Sequence, residues 1–134
     1  MKLLLDTHIW LWLLMSPARL SSRVLKELSD AQNELWLSPV SLWEVINLCQ
    51  KGRVKFNQEV SAWILDKLTA AAMVEAPLNH DVALATAHLQ MPQRDPTDRF
   101  LVATAKVFEL TLVTADERLM KVREIPILAN REKQ

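Results

Sequence analysis

The feature that most constrains this chain is the repeated succession of a short apolar run and a segment with helical spacing. Lys2 to Leu5 is such a run, and it ends at Asp6. Ile9 to Met15 follows, apolar on every side like a buried helix, and Ser16-Pro17 stops it. Arg23 to Asp30 carries Val24, Leu25 and Leu28 at helical spacing, and Glu34 to Leu37 is a second strand candidate. Ser38-Pro39 places a capping residue before a proline at the first helical position, which predicts a helix to about Lys51, closed by Gly52. Further helices are expected over Val60 to Ala71, His80 to Leu89, Asp95-Pro96 through Phe108, and briefly from Glu117. Pro92 to Arg94 reads as a loop, and strands are expected at Met73 to Ala76, Thr111 to Thr114 and near Ile125 to Leu128. Strands separated by helices pair in parallel through right-handed crossovers, so the class is α/β.

Half of the 134 residues are hydrophobic, enough for the core of one domain over residues 1–134, with a loose polar tail from Asn130 to Gln134. The N-terminal run superficially resembles a signal peptide, but Asp6 and His8 interrupt it, and no stretch approaches a membrane span. A single cysteine, Cys49, forms no intramolecular disulfide and calls for no oxidising compartment, so a cytoplasmic location is expected. In its apolar helix Cys49 reads as a buried thiol. Sixteen Lys and Arg balance 16 Asp and Glu, so composition alone does not point to nucleic acid. One glycine excludes the glycine-rich dinucleotide and phosphate loops.

In an open parallel sheet, ligands bind beyond the carboxyl ends of the strands, where strand order reverses. Asp6 ends the first strand and Asp116 follows Thr114 at the end of a later one, while Glu44 and Asp98 sit in early helical turns. Any one of these acids has a structural use as a helix cap. Ser38, the better helix start, leaves Glu44 capping nothing, and Asp95 before Pro96 takes the cap and frees Asp98. Four acids at one sheet edge favour a site, and clustered carboxylates call for a cation. Mg²⁺ or Mn²⁺ suits oxygen ligands and a substrate phosphate, which points to phosphodiester hydrolysis. His8, His80 and His88 lack zinc-ligand spacing and read as packed or surface residues. Of the five tryptophans most should be core, and Trp10 and Trp12, two apart on one helix, cannot share a face, which leaves one for a partner. Arg53, Lys55, Arg94 and above all Arg99 are candidates for phosphate contact.

The segments Leu4-Leu5-Asp6-Thr7-His8, Ser38-Pro39-Val40-Ser41-Leu42-Trp43-Glu44, Lys51-Gly52-Arg53, Arg94-Asp95-Pro96-Thr97-Asp98-Arg99 and Leu112-Val113-Thr114-Ala115-Asp116 together resemble PIN-domain ribonucleases of the VapC toxin type. The resemblance implies a three-layer sandwich with a parallel sheet of four to five strands flanked by helices. It also implies endoribonuclease activity, an acidic site binding Mg²⁺ or Mn²⁺, and inhibition by a cognate antitoxin, and it admits a homodimer. By position Asp6, Glu44, Asp98 and Asp116 match the family's catalytic acids, with Asp6, Asp98 and Asp116 as the metal ligands, and Thr114 matches a hydroxyl that orients the site. Around the D-P-x-D-R segment, where the family often carries histidine and an aromatic, this chain has Gln93 and Thr97. A metal phosphatase, a DNA nuclease on a related fold and a silent binding module stay open as alternatives.

Overall fold

The computed structural model describes residues 1–92 and 95–131, so the expected loop residue Arg94, its neighbour Gln93 and the last three residues of the tail lie outside the described residues. Its elements run β1 (Lys2–Leu5), α1 (Thr7–Met15), α2 (Ser22–Ser29), β2 (Glu34–Leu37), α3 (Pro39–Gln50), α4 (Val60–Ala70), β3 (Met73–Glu75), α5 (His80–Ala85), α6 (Pro96–Phe108), β4 (Thr111–Thr114), α7 (Glu117–Met120) and β5 (Ile127–Ala129). The five strands form one sheet, every pair parallel, in the order β3-β2-β1-β4-β5. The chain winds outward from β1 to β3 on one side, then restarts at β4 on the other. The reversal falls between β1 and β4.

Period-two alternation divides the strand residues between two cores. Leu4 and Leu112 point into one layer with Val82, Leu101 and Val102, from α5 and α6. Leu3, Leu5 and Val113 point into the other, with Ile9 and Trp10 of α1, Val24 of α2, Val45 of α3 and Trp63 of α4. All three leucines of β1 are fully buried. That is why these runs lack polar residues: a central parallel strand is covered on both faces.

Both proline caps form as expected. Ser38 Oγ accepts from the Val40 N–H at 3.1 Å, and Asp95 Oδ1 accepts from the Thr97 N–H at 2.9 Å. Gly52 stands at φ +72° just past α3, its N–H donating to the Cys49 carbonyl at 3.0 Å. Nothing lies within 4 Å of where its Cβ would be. Gly52→Ala therefore meets only the backbone penalty of the left-handed region, and chemical denaturation should find a loss of about 1 kcal/mol.

Several boundaries differ from the sequence reading. α1 begins at Thr7 because Asp6 caps it, and it is not buried all round: Trp12 to Leu14 are half-buried and Met15 is exposed. The helix expected from His80 to Leu89 ends as α at Ala85 and continues as a 3-10 turn over Thr86–His88. β5 begins after Pro126, which has no N–H for the ladder; its carbonyl accepts from the Leu112 N–H, and Ile125 packs in the core instead. The tail is anchored through Arg131: Asn130 N donates to the Thr114 carbonyl at 2.8 Å, and Arg131 pairs with Glu117 at 2.8 Å. Cys49 is half-buried rather than buried, and of the five tryptophans Trp43 is 58% exposed.

Candidate active site

The four expected acids line one open cleft of about 550 Å³ at the carboxyl edge of the sheet, at the β1–β4 reversal. Asp6 keeps its backbone N–H in the ladder, donating to the Val113 carbonyl at 3.0 Å, so the strand aims its carboxylate at the edge. Oδ1 accepts from the Thr7 N–H at 2.8 Å and Oδ2 from the Thr114 hydroxyl at 2.7 Å. Thr114 Oγ1 in turn accepts the Asp116 N–H at 3.0 Å. One buried hydroxyl thus ties together the acids at the ends of β1 and β4.

Glu44 reaches the cleft from the second turn of α3 and accepts from the Thr7 hydroxyl. A hydroxyl has one proton, and an ionised carboxylate can only accept. The 2.9 Å contact between Thr7 Oγ1 and Ser41 Oγ is therefore closed by the serine proton. Thr7 and Ser41 are buried, which fixes the rotamer of a carboxylate that is itself half-buried.

Asp98 lies in the first turn of α6, 9% exposed, and its buried Oδ2 has no hydrogen-bond donor among the described residues. Leaving such an oxygen unsatisfied costs about 1–3 kcal/mol. Burial and the neighbouring charges of Asp95, Asp6 and Asp116 push the Asp98 carboxyl up to about 6, against the pull of Arg118. Burial also raises Asp6, opposed chiefly by the Thr114 hydrogen bond, and raises Glu44, opposed by Thr7. Asp116 moves the other way: hydrogen bonds from the Arg118 side chain hold it below the usual carboxylate range. Arg118 Nη2 stands 3.0 Å from Asp116 Oδ2 and 3.5 Å from Asp98 Oδ2, a cation already between two of the acids. Among the described residues no three Asp, Glu, His or Cys side chains stand close enough, as placed, to share one ion. The donor set is nonetheless all carboxylate oxygen, with a buried Asp98 oxygen that has no hydrogen-bond donor among the described residues and raised proton affinities at Asp6, Glu44 and Asp98, and that chemistry fits a hard divalent cation.

The remaining expectations separate. Arg99 does not line the cleft, because its Nη2 donates to the Thr86 carbonyl at 2.7 Å and holds the 3-10 turn to α6. Arg53 and Lys55 are exposed and also lie off the cleft, while Arg94 is outside the described residues. Asp95 caps α6 and lines the cleft as well. Trp10 is buried, whereas Trp12 lines the cleft with the Arg19 guanidinium 4.3 Å from its ring centre, and exposed His8 joins them. Arg118, Arg19, Thr7 and Ser41 were missed as site residues. Thr7 and Ser41 had a legible signal, Thr7 beside Asp6 and Ser41 one helical turn before Glu44. Arg118 and Arg19 had none, since charged loop and helix-start residues are usually only solvated.

A parallel five-stranded sheet with acids gathered at its reversal point is the arrangement of a PIN domain, and the PIN domain family model matches residues 3–125. The chain belongs to the PIN-domain family. More particularly, it is 31% identical over 120 residues to Ribonuclease VapC22 of Mycobacterium tuberculosis, covering 90% of this chain and 91% of that protein. Among solved structures, VapBC2 from Rickettsia felis bound to a DNA fragment from their promoter superposes with a TM-score of 0.72 at 16% identity, over 96% of this chain and 98% of that one. FitAcB from Neisseria gonorrhoeae gives 0.64 at 17% identity, over 96% and 97%. At such identities these structures speak for the fold alone.

Proposed function

We propose that this protein is a divalent-metal-dependent endoribonuclease acting as one domain over residues 1–134, and the toxin of a toxin–antitoxin pair. The observation that carries the reading is the cleft of four carboxylates at the sheet's reversal point, with a buried Asp98 Oδ2 that has no hydrogen-bond donor among the described residues. The similarity to a protein named as a ribonuclease, and the fold shared with toxin–antitoxin complexes, support the substrate and the partner. A cognate antitoxin is the expected inhibitor, and a second copy of the chain is an admissible partner. No helix among the described residues is long and apolar enough to cross a membrane, which is compatible with action in the cytoplasm.

Asp6, Asp98 and Asp116 would hold Mg²⁺ or Mn²⁺. When bound, such an ion lowers the pKa of a coordinated water and neutralises charge on the phosphate. The protein's part is positional. Thr114 fixes the spacing of Asp6 and Asp116, and Thr7 fixes Glu44 with one oxygen, Oε1, engaged. Glu44, with its proton affinity raised, is suited to take the proton of the attacking water.

Purified protein should cleave single-stranded RNA with added Mg²⁺ or Mn²⁺, lose cleavage in a chelator, and regain it when the metal is restored. Cleavage at full rate in excess chelator, or a clear preference for DNA or small phosphate esters, would overturn the reading.

A further inference from the structure

We propose that a second cavity, beside the acid cleft, is the subsite that seats the RNA strand flanking the scissile phosphate. This rests on the ribonuclease reading above. The cavity, about 690 Å³, lies between residues 90–92 and the connection from α7 to β5. It adjoins the acid cleft at one residue: Arg118 lines both.

Charge makes such a subsite necessary. The chain has no net charge, and its reaction centre is a cluster of carboxylates that repels a polyanion, so the attraction must be local. Lys121 and Arg123 supply it along the wall of this cavity, while Arg118, paired with Asp116 and Asp98, marks its junction with the cleft. Lys121 and Arg123 are exposed, and among the described residues neither has an acidic partner. The cavity's own acid, Glu124, is neutralised, accepting from Lys106 Nζ at 3.1 Å and from the Gln90 N–H at 2.9 Å. Met91 and Val122 are 7% and 9% exposed and give the lining an apolar portion. Cations over an apolar lining match a nucleotide, whose phosphate is charged and whose base has two apolar faces. Flexible single-stranded RNA can place one nucleotide in the cavity and the next phosphate in the cleft, which a stiff duplex accommodates less readily.

The test measures binding of a fluorescent single-stranded oligoribonucleotide to Asp6→Asn protein, which should cut it far more slowly than the wild type, with and without Lys121→Glu and Arg123→Glu. The charge reversals should weaken binding about tenfold or more. They should also flatten the dependence of log affinity on log salt by roughly 0.7 for each phosphate no longer neutralised. Lys121→Arg with Arg123→Lys should retain binding, and the charge-reversed protein with Asp6 intact should keep the melting shift induced by Mn²⁺. Unchanged RNA affinity on charge reversal would overturn the subsite while leaving the ribonuclease reading standing. Absence of both binding and cleavage of RNA by the wild type would remove both. Displacement of the oligoribonucleotide by polyglutamate at equal charge would mark the cavity as a protein-docking surface and overturn the proposal.

Discussion

Asp6→Asn protein is expected to lose RNA cleavage by on the order of 10²–10³-fold, the loss typical when one preorganised charged or polar group is taken from a reacting centre. Asparagine keeps the shape, still caps α1 and still meets the Thr114 hydroxyl, so the fold should survive. Burial already makes the Asp6 charge unfavourable, which raises its carboxyl, and neutralising it removes that cost. The variant should therefore melt at the wild-type temperature or above. In cells, expression of the wild type without an antitoxin should arrest growth, and Asp6→Asn at the same protein level should relieve the arrest. A folded Asp6→Asn protein that cuts RNA at the wild-type rate would remove Asp6 from the site. Equal arrest by both would separate toxicity from the cleft.

Asp98→Asn carries the second large effect, read as stability. The Asp98 carboxyl is raised from 3.8 to about 6 in the folded protein, so between those values the folded state holds a proton that the unfolded chain has released. Stability from this group is complete below pH 3.8 and is lost as pH rises through 6. The span bounds the loss at about 3 kcal/mol, and the open, partly solvated cleft reduces it. Removing the charge costs about 0.3–1 kcal/mol of helix-dipole interaction at the start of α6. At pH 7 the metal-free variant should thus be as stable as wild type or more so. Its stability should fall less between pH 4 and 7, a residual slope remaining from Asp6 and Glu44, which shift in the same direction. Mn²⁺ should reverse the ranking: at a hundred times its dissociation constant it stabilises the wild type by about 2.7 kcal/mol, and the variant by much less. Lower metal-free stability with an undiminished Mn²⁺ shift would reduce Asp98 to a helix-start residue.

The strands and the acids were legible for one reason. A buried parallel strand is a short apolar run, and the residue that ends it stands at the edge where ligands bind, so Leu5-Asp6 and Thr114-Ala115-Asp116 announce both fold and site. The caps at Ser38-Pro39 and Asp95-Pro96 were equally local, and they assigned Glu44 and Asp98 by exclusion. Capping a helix and lining the cleft are compatible rather than alternative: Asp6 and Asp116 do both. The order of strands was hidden, because any of these apolar runs could have neighboured β1. The Arg118 bridge, the Arg99 bond to the Thr86 carbonyl and the exposure of Trp43 were hidden too, since each depends on what the fold brings opposite the side chain. β5 begins two residues later than its apolar run suggests, because Pro126 has no N–H for the ladder.

The Thr114–Asp6 hydrogen bond joins residues 108 positions apart, and β1 meets β4 across the same interval. Contacts so distant along the chain form late and slowly, after a large loop has closed. During synthesis, β1, β2 and β3 can emerge from the ribosome while the cleft is still half absent. Asp116 arrives last of its four acids. The cleft that all four acids line is therefore complete only when β4 has docked beside β1, so the strand order itself sets when the site is assembled.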